Sequence, residues 1–472
     1  MMRKTKIICT IGPASREPAV LEKLIRSGMD VARLNFSHGT RDEHQQTLAD
    51  IRSISKRLGK PIAVLQDLPG PKLRIGPIVG GEVQLKQGEP FTLTSEPVEG
   101  TVQRVSVNYP LMIQEVKIGD TLLLADGSIQ LEVIAKGADK IECRVLSGGT
   151  LASHKGINLP GESSSIPAFT SQDEEDLLWG IEQGVDFAAL SFIRTAEDLY
   201  RAKRLLEQHR SSVHLIAKIE KRGAVENFDQ IIEIADAIMI ARGDLGVEIP
   251  LEKVPTIQKQ LIRKANLAAK PIITATQMLK SMVDAPRPTR AEAADVANAV
   301  LDGSDALMLS EETAVGKYPV DTVKIMSNII QEAEKSFSFW RNLDRKTGCG
   351  PLAIEEAVSQ ASNDLAYYLR ARAIITPTES GQTARLVARY RPQVPILAFS
   401  RHGSTQRTLQ LSWGVYPFLL PDFSDLDDMI GQAKRIAASS GWVCPGDTVV
   451  FTAGLPLKEA GGTNLIRADR IS

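Results

Sequence analysis

Cysteine is scarce in this chain: Cys9, Cys143, Cys349 and Cys444 stand far apart among 472 residues. No CxxC pair occurs, which excludes a paired-cysteine zinc site and a disulfide framework. Reduced, mostly buried thiols are expected instead, as in a cytoplasmic protein. Histidine is sparse too, with six residues and no HExxH spacing. A GxxxxGKS/T phosphate loop is missing, so a P-loop nucleotide site is excluded. No run approaches the ~20 apolar residues of a membrane-spanning helix. The opening MMRKTKIICTIGPAS has too short an apolar stretch for a signal peptide. Neither sign of charge is in excess: 56 Lys+Arg against 57 Asp+Glu give a net charge of −1. That balance offers no electrostatic basis for general nucleic-acid binding.

What the chain does have is apolar mass and alternation. Apolar residues make up 43% and charged residues 24%, enough for a large core and against global disorder. The length predicts about three domains. Residues 1–70 alternate strands at 6–9, 31–34 and 61–65 with helices at 17–27 and 42–58, stopped by Gly28 and Gly59. Residues 71–164 switch to a period of two, with many glycines and no convincing helix, which predicts a small all-β domain. Residues 165–340 return to alternation, with strands at 186–192, 214–219, 237–240, 271–275 and 305–309. Each strand is an apolar run, as when both faces of a parallel sheet are buried. Eight strand–helix units around an insertion predict an α/β fold: a (β/α)8 TIM barrel with an inserted small all-β lid domain. A linker reaches to about residue 351. Residues 352–472 carry four strand patterns, at 373–376, 396–399, 415–420 and 448–452. They predict a C-terminal open α/β domain.

In such a barrel the active site forms at the C-terminal ends of the strands. Those ends carry Arg33, Asn35, Ser37, His38, Asp67, Ser191, Lys218, Glu220, Arg242, Gly243, Asp244, Thr276 and Ser310. Lys218 and Glu220 are two apart on one strand and so share a face. A plain salt bridge is one reading of that pair. Asp244 adds another: Glu220 and Asp244 end neighbouring strands, where two carboxylates can share one Mg²⁺. Lys218 is then left to face a negative substrate. The glycines flanking Asp244 offer bare backbone N–H groups for an anion, and Thr276 offers a hydroxyl. Arg33 and Arg74 can clamp a phosphate. Together these residues describe a pocket for a small, multiply anionic, Mg²⁺-bound ligand.

Nine stretches in order, TKIICTIGPAS, RLNFSHG, GINLPG, AKIE, MIARGDLGVEIP, TATQMLKSM, PRPT, MLSEET and GTNLIR, resemble the pyruvate kinase family along essentially the whole chain. The resemblance implies transfer of a phosphoryl group from phosphoenolpyruvate to ADP, giving pyruvate and ATP in glycolysis. It implies Mg²⁺ on Glu220 and Asp244, with Lys218 neutralising the group in transit. It places the substrate carboxylate on Gly243, Asp244 and Thr276, and the phosphoryl group on Arg33. Asn35, His38, Arg74 and Lys155 match nucleotide-side positions. Thr276 or Ser310, through water, are the candidate proton donors to the enolate. The family pattern also implies a homotetramer regulated through its C-terminal domain.

Two departures from the pattern carry expectations. Many members hold K⁺ near Asn35, Ser37, Asp67 and the Leu68 carbonyl, with a Glu in the following Gly-Pro-Glu stretch. Here that position is Lys72, whose ammonium supplies the same single charge, so K⁺ is expected not to be required. In the C-terminal domain Thr378, Ser380, Gly381 and Thr383 match an effector-phosphate loop. Glu379 and Gln382 stand where fructose-1,6-bisphosphate-activated members are often basic, which favours a sugar monophosphate or AMP. The sequence ends soon after GTNLIR, so the extra C-terminal domain of some relatives is not expected here. The rival readings are a Mg²⁺-dependent barrel lyase or aldolase for pyruvate-like acids, and a catalytically weak metabolite sensor.

Overall fold

The computed structural model describes residues 3–71, 73–125, 127–158, 167–336, 352–456 and 462–472. Lys72, Cys349, the expected linker at 340–351 and the end of the GINLPG stretch lie outside them. Eight strands close into a barrel in which every neighbour is parallel. In chain order they are Lys6–Ile11, Val31–Asn35, Ala63–Leu68, Phe187–Leu190, His214–Ile219, Ala237–Ala241, Ile272–Ala275 and Ala306–Leu309. Helices between them pack their apolar stripes on the barrel wall. The helix Arg41–Leu58 shows why such helices start and stop where they do. Thr40 caps Glu43, Glu43 returns the bond to Thr40, and Gly59 ends the helix in the left-handed region.

The inward face of each strand changes character from foot to top. Residues two apart share that face, so the first strand presents Lys6, Ile8 and Thr10, and the second Val31 and Arg33. The third presents Ala63, Leu65 and Asp67, and the fifth Ile216 and Lys218. The lower positions form one buried apolar cluster with Phe187, Met239, Ile273 and Met308. Leu411, from the C-terminal region, completes that cluster and closes the barrel floor.

Just before alternate strands stand four aspartates. Asp30, Asp186, Asp236 and Asp305 each accept an N–H from the start of the preceding strand, from Ile7, Val64, Leu215 and Ile272. Each acid thereby fixes the register of two strands. Two of them also anchor the C-terminal region, Asp186 through Arg407 and Asp305 through Arg391.

Lys6 and Lys4 bind the same floor. Lys6 Nζ donates to the Val415 carbonyl at 2.6 Å, and Lys4 Nζ to the Pro392 and Gln393 carbonyls. Burial pushes both amines down to about 8, with Asp30 and Glu334 opposing it. A lysine titrating near 10.5 when unfolded and near 8 when folded destabilises the fold fully below pH 8. That penalty is relieved as pH rises from 8 to 10.5. Lys6 contributes a swing of about 3 kcal/mol across this window. Denaturant titrations from pH 7 to 10 should show the stability gap between Lys6→Met and the parent chain shifting in the parent's favour as pH rises.

Residues between the third and fourth barrel strands build a six-stranded sheet and a two-stranded sheet around their own core. The expectation of no helix here is corrected: Met112–Glu115 forms one short turn, too brief to register as a 3.6-residue period. The C-terminal sheet is likewise corrected from four strands to five. Ala373–Pro377, Ile396–Ser400, Val415–Leu419 and Thr448–Gly454 run parallel, and Thr463–Arg470 adds an antiparallel edge. That strand is exposed or half-exposed at every position but Thr463, so it lacks the apolar run that marked the others. Cys9 and Cys143 are buried as expected, whereas Cys444 is exposed.

Candidate active site

The polar upper residues of the barrel converge in a cleft of about 520 Å³ between the barrel top and the inserted sheets. Arg33, Asn35, Ser37, His38, Asp67, Lys218, Glu220 and Asp244 line it from the barrel. Arg74 and Lys155 line it from the insertion, with Arg74 donating to the His154 carbonyl at 3.2 Å. Gly243, Thr276 and Ser310 lie outside that lining and adjoin it through Asp244 and the neighbouring strand ends.

A chain of ion pairs and hydrogen bonds runs around the cleft floor. Thr10 Oγ1 donates to the Leu309 carbonyl and accepts from Arg33 at 2.9 Å. Arg33 Nε donates to Asp67 at 2.6 Å. Asp67 meets Lys218 at 3.2 Å, and Lys218 meets Glu220 at 2.8 Å. The second oxygen of Glu220 accepts the Phe192 N–H at 2.8 Å. Burial alone would raise the Asp67 carboxyl, but Lys218 and Arg33 hold it below the usual carboxylate range. Burial works against the Lys218 charge, yet Asp67 and Glu220 outweigh it and lift its pKa above an ordinary lysine's. Asp67 and Lys218 are therefore both charged at neutral pH, and both are largely buried. Fixed charges of this kind act strongly on a charged ligand.

Beside this floor, the Thr276 hydroxyl accepts the Gly243 N–H at 2.8 Å and donates to the Ala275 carbonyl at 2.7 Å. Thr276 and Gln277 hold positive φ values of 69° and 55°, uncommon for residues with a Cβ. Arg242 braces that backbone: it donates to the Thr276 carbonyl at 3.0 Å and to both oxygens of Asp295 at 2.7 Å. The Ser310 N–H is held by Glu312, which also accepts from Leu279 N–H. Asn35 Oδ1 accepts the Ser37 N–H at 3.2 Å. The Leu68 carbonyl accepts the Ser191 hydroxyl at 2.7 Å.

Sequence reading missed three contributors. Ser191 stood at a strand end and Glu312 inside the MLSEET stretch, both without a role, because a lone Ser or Glu carries no motif. Asp67 was read only as a monovalent-cation donor, whereas it is the shared counter-ion of Arg33 and Lys218.

Models of the pyruvate kinase barrel domain and the pyruvate kinase alpha/beta domain match residues 2–323 and 356–468. The chain belongs to the pyruvate kinase family. It is 48% identical to a pyruvate kinase of Geobacillus stearothermophilus, over 100% of this chain and 81% of that one. It is 46% identical to pyruvate kinase 2 of Synechocystis sp., over 99% of this chain and 79% of that one. The crystal structure of a pyruvate kinase from Cryptosporidium parvum superposes with a TM-score of 0.94 at 38% identity, covering 100% of this chain and 96% of that one. Pyruvate kinases are phosphotransferases, and this chain is an enzyme of that class. Among the described residues no helix is long and apolar enough to cross a membrane.

A second cavity, of about 40 Å³, lies in the C-terminal sheet and is lined by Thr378, Glu379, Ser380 and Thr383. Thr378 Oγ1 accepts the Gly381 N–H at 3.0 Å, and Thr383 Oγ1 meets Thr463 Oγ1 at 2.8 Å. Gly381, with φ +84°, makes the turn into the following helix. Glu379 pairs with Arg401 at 3.1 Å and with His402 at 2.8 Å.

Proposed function

We propose that this chain transfers the phosphoryl group of phosphoenolpyruvate to ADP, giving pyruvate and ATP, in a Mg²⁺-dependent step of glycolysis in the cytoplasm. The observation that carries this reading is the Lys218 ammonium set between Asp67 and Glu220 at the cleft floor. Phosphoryl transfer needs positioning and charge neutralisation more than covalent chemistry, and this floor offers both.

Among the described residues no cluster of three or more His, Cys, Asp or Glu is arranged to hold a metal. Glu220 and Asp244 line one cleft as a pair of hard oxygen donors. That suits Mg²⁺, which commonly takes one or two carboxylates and completes its shell with substrate oxygens and water. When bound, Mg²⁺ supplies charge neutralisation to the substrate's carboxylate and phosphoryl oxygens. Arg33, held in place by Asp67 and Thr10, faces the transferred group. Lys218 faces the same group and then the enolate oxygen it leaves. The Gly243 and Asp244 N–H groups and the Thr276 hydroxyl receive the substrate carboxylate, with Gly243 giving up its bond to Thr276. Thr276 or Ser310 delivers the proton to the enolate carbon through water. Asn35, His38, Arg74 and Lys155 receive the nucleotide phosphates. Closure of the inserted sheets over the cleft excludes water that would otherwise take the phosphoryl group.

K⁺ is not required in this reading. Both oxygens of Asp67 and the Leu68 carbonyl already hold partners, and Lys72 stands where many family members carry Glu. The test is pyruvate formation from phosphoenolpyruvate and ADP with Mg²⁺, with and without K⁺. Turnover in both buffers is the expected result. A several-hundred-fold loss without K⁺ overturns the K⁺ argument and keeps the enzyme. No turnover in either buffer, with sugar phosphates added, overturns the assignment.

The C-terminal cavity is the proposed effector site, taking a sugar monophosphate or AMP on Thr378, Ser380, Gly381 and Thr383. Its small volume requires the loop to open for the ligand. A Glu379 carboxylate disfavours a second phosphate, so micromolar activation by fructose-1,6-bisphosphate overturns this assignment. The exposed apolar residues Ile354 and Tyr368 on the helix Ile354–Tyr368 support assembly with further copies of the chain, as a homotetramer.

A further inference from the structure

An ammonium carries three hydrogens, and three partners surround that of Lys218. Glu220 lies at 2.8 Å, Asp67 at 3.2 Å and the Ser191 hydroxyl at 2.7 Å. The first two are buried anions with duties of their own, Asp67 to Arg33 and Glu220 to the Phe192 N–H. Ser191 is neutral and only 4% exposed, and it donates its own hydrogen to the Leu68 carbonyl at 2.7 Å. One hydroxyl thus ties together the tops of the third, fourth and fifth barrel strands.

We propose that Ser191 is a positioning residue of the transfer reaction, holding the Lys218 ammonium toward the cleft and releasing it when a phosphoryl oxygen arrives. The inference rests on the reading of Lys218 as the cation that faces the transferred group. To bind that oxygen the amine must surrender one hydrogen bond. Giving up Asp67 or Glu220 leaves a buried charge under-compensated, which costs far more than giving up a neutral hydroxyl. Ser191 stays satisfied after release, because its bond to Leu68 does not involve Lys218. It is the partner that leaves no orphan behind.

The backbone is shaped for this duty. Phe192, directly after Ser191, holds a φ of +58°, a left-handed conformation that is unusual for an aromatic residue. That turn sends the Phe192 N–H back to Glu220 while the Ser191 side chain stays inside the barrel mouth. Two adjacent residues therefore fix the two sides of the Lys218–Glu220 pair, one by a side chain and one by a main-chain N–H.

The test compares steady-state turnover of Ser191→Ala, Ser191→Cys, Ser191→Thr and Lys218→Met with that of the parent chain, at saturating ADP and Mg²⁺. The alanine and cysteine variants should melt with the parent and lose about thirtyfold in kcat, the order expected when a catalytic group is slightly misplaced. Their KM for phosphoenolpyruvate should stay within about threefold, because Ser191 orients the amine and does not itself touch the substrate. Ser191→Thr, which keeps the hydroxyl, should recover most of the loss. Unchanged kcat in both Ser191→Ala and Ser191→Cys beside an inactive Lys218→Met overturns the Ser191 inference alone. A loss confined to KM, or one that threonine does not recover, overturns it as well. Full turnover in Lys218→Met overturns the reading beneath it.

Discussion

Glu220→Gln should lower turnover by about 10³-fold, the scale seen when a preorganised charge is removed from a water-poor site. The substitution keeps size and keeps an oxygen for the Phe192 N–H, which Glu220 now holds at 2.8 Å. What it removes is one negative charge. Two consequences separate from each other. The proposed two-carboxylate Mg²⁺ site becomes a one-carboxylate site, so the Mg²⁺ concentration for half-maximal activity should rise steeply. Lys218 also loses its nearer counter-ion, at 2.8 Å, and keeps Asp67 at 3.2 Å. A Mg²⁺ titration of the variant checks the first consequence directly. An unchanged half-saturation point would remove Glu220 from the proposed metal pair, whatever the turnover.

The second large effect is on stability. Arg391→Met should destabilise the fold by about 3–5 kcal/mol, the usual cost of removing one partner of a buried ion pair. Arg391 is 3% exposed. It donates to both oxygens of Asp305, at 2.8 and 3.0 Å, and to the Gly303 carbonyl at 2.7 Å. Without it Asp305 keeps the Ile272 and Trp413 N–H groups but no cation. Converting Asp305 to Asn as well removes the orphaned charge, so the double variant should recover part of the loss. Equilibrium denaturation of the three variants measures the coupling. Additive losses would mean that Arg391 acts by packing on Trp413, which lies 5.1 Å from it, rather than through charge.

The barrel was legible because its strands are buried on both faces and so read as unbroken apolar runs. Strand tops were legible for the same reason: Arg33, Asp67, Lys218 and Glu220 break those runs with charge. Features that are half-exposed or very short left no such mark. The edge strand Thr463–Arg470 and the turn Met112–Glu115 belong to that group. The four register-setting aspartates were visible as letters in GMD, GVD, IAD and GSD. A turn residue before a strand is common, so only the bonds to Ile7, Val64, Leu215 and Ile272 reveal their shared purpose. Pairings across the cleft floor were beyond reach altogether. That Asp67 serves both Arg33 and Lys218 depends on three strands meeting at one height, and local sequence carries no record of height.

Leu411 gives the molecule an order of assembly. The last barrel helix ends at Lys335, so a growing chain has released every barrel strand before Leu411 exists. A barrel closed before Leu411 is in place would be a vessel without a base, with Ile8, Phe187 and Ile273 open at its foot. The barrel core is complete only once the C-terminal segment lies beneath it.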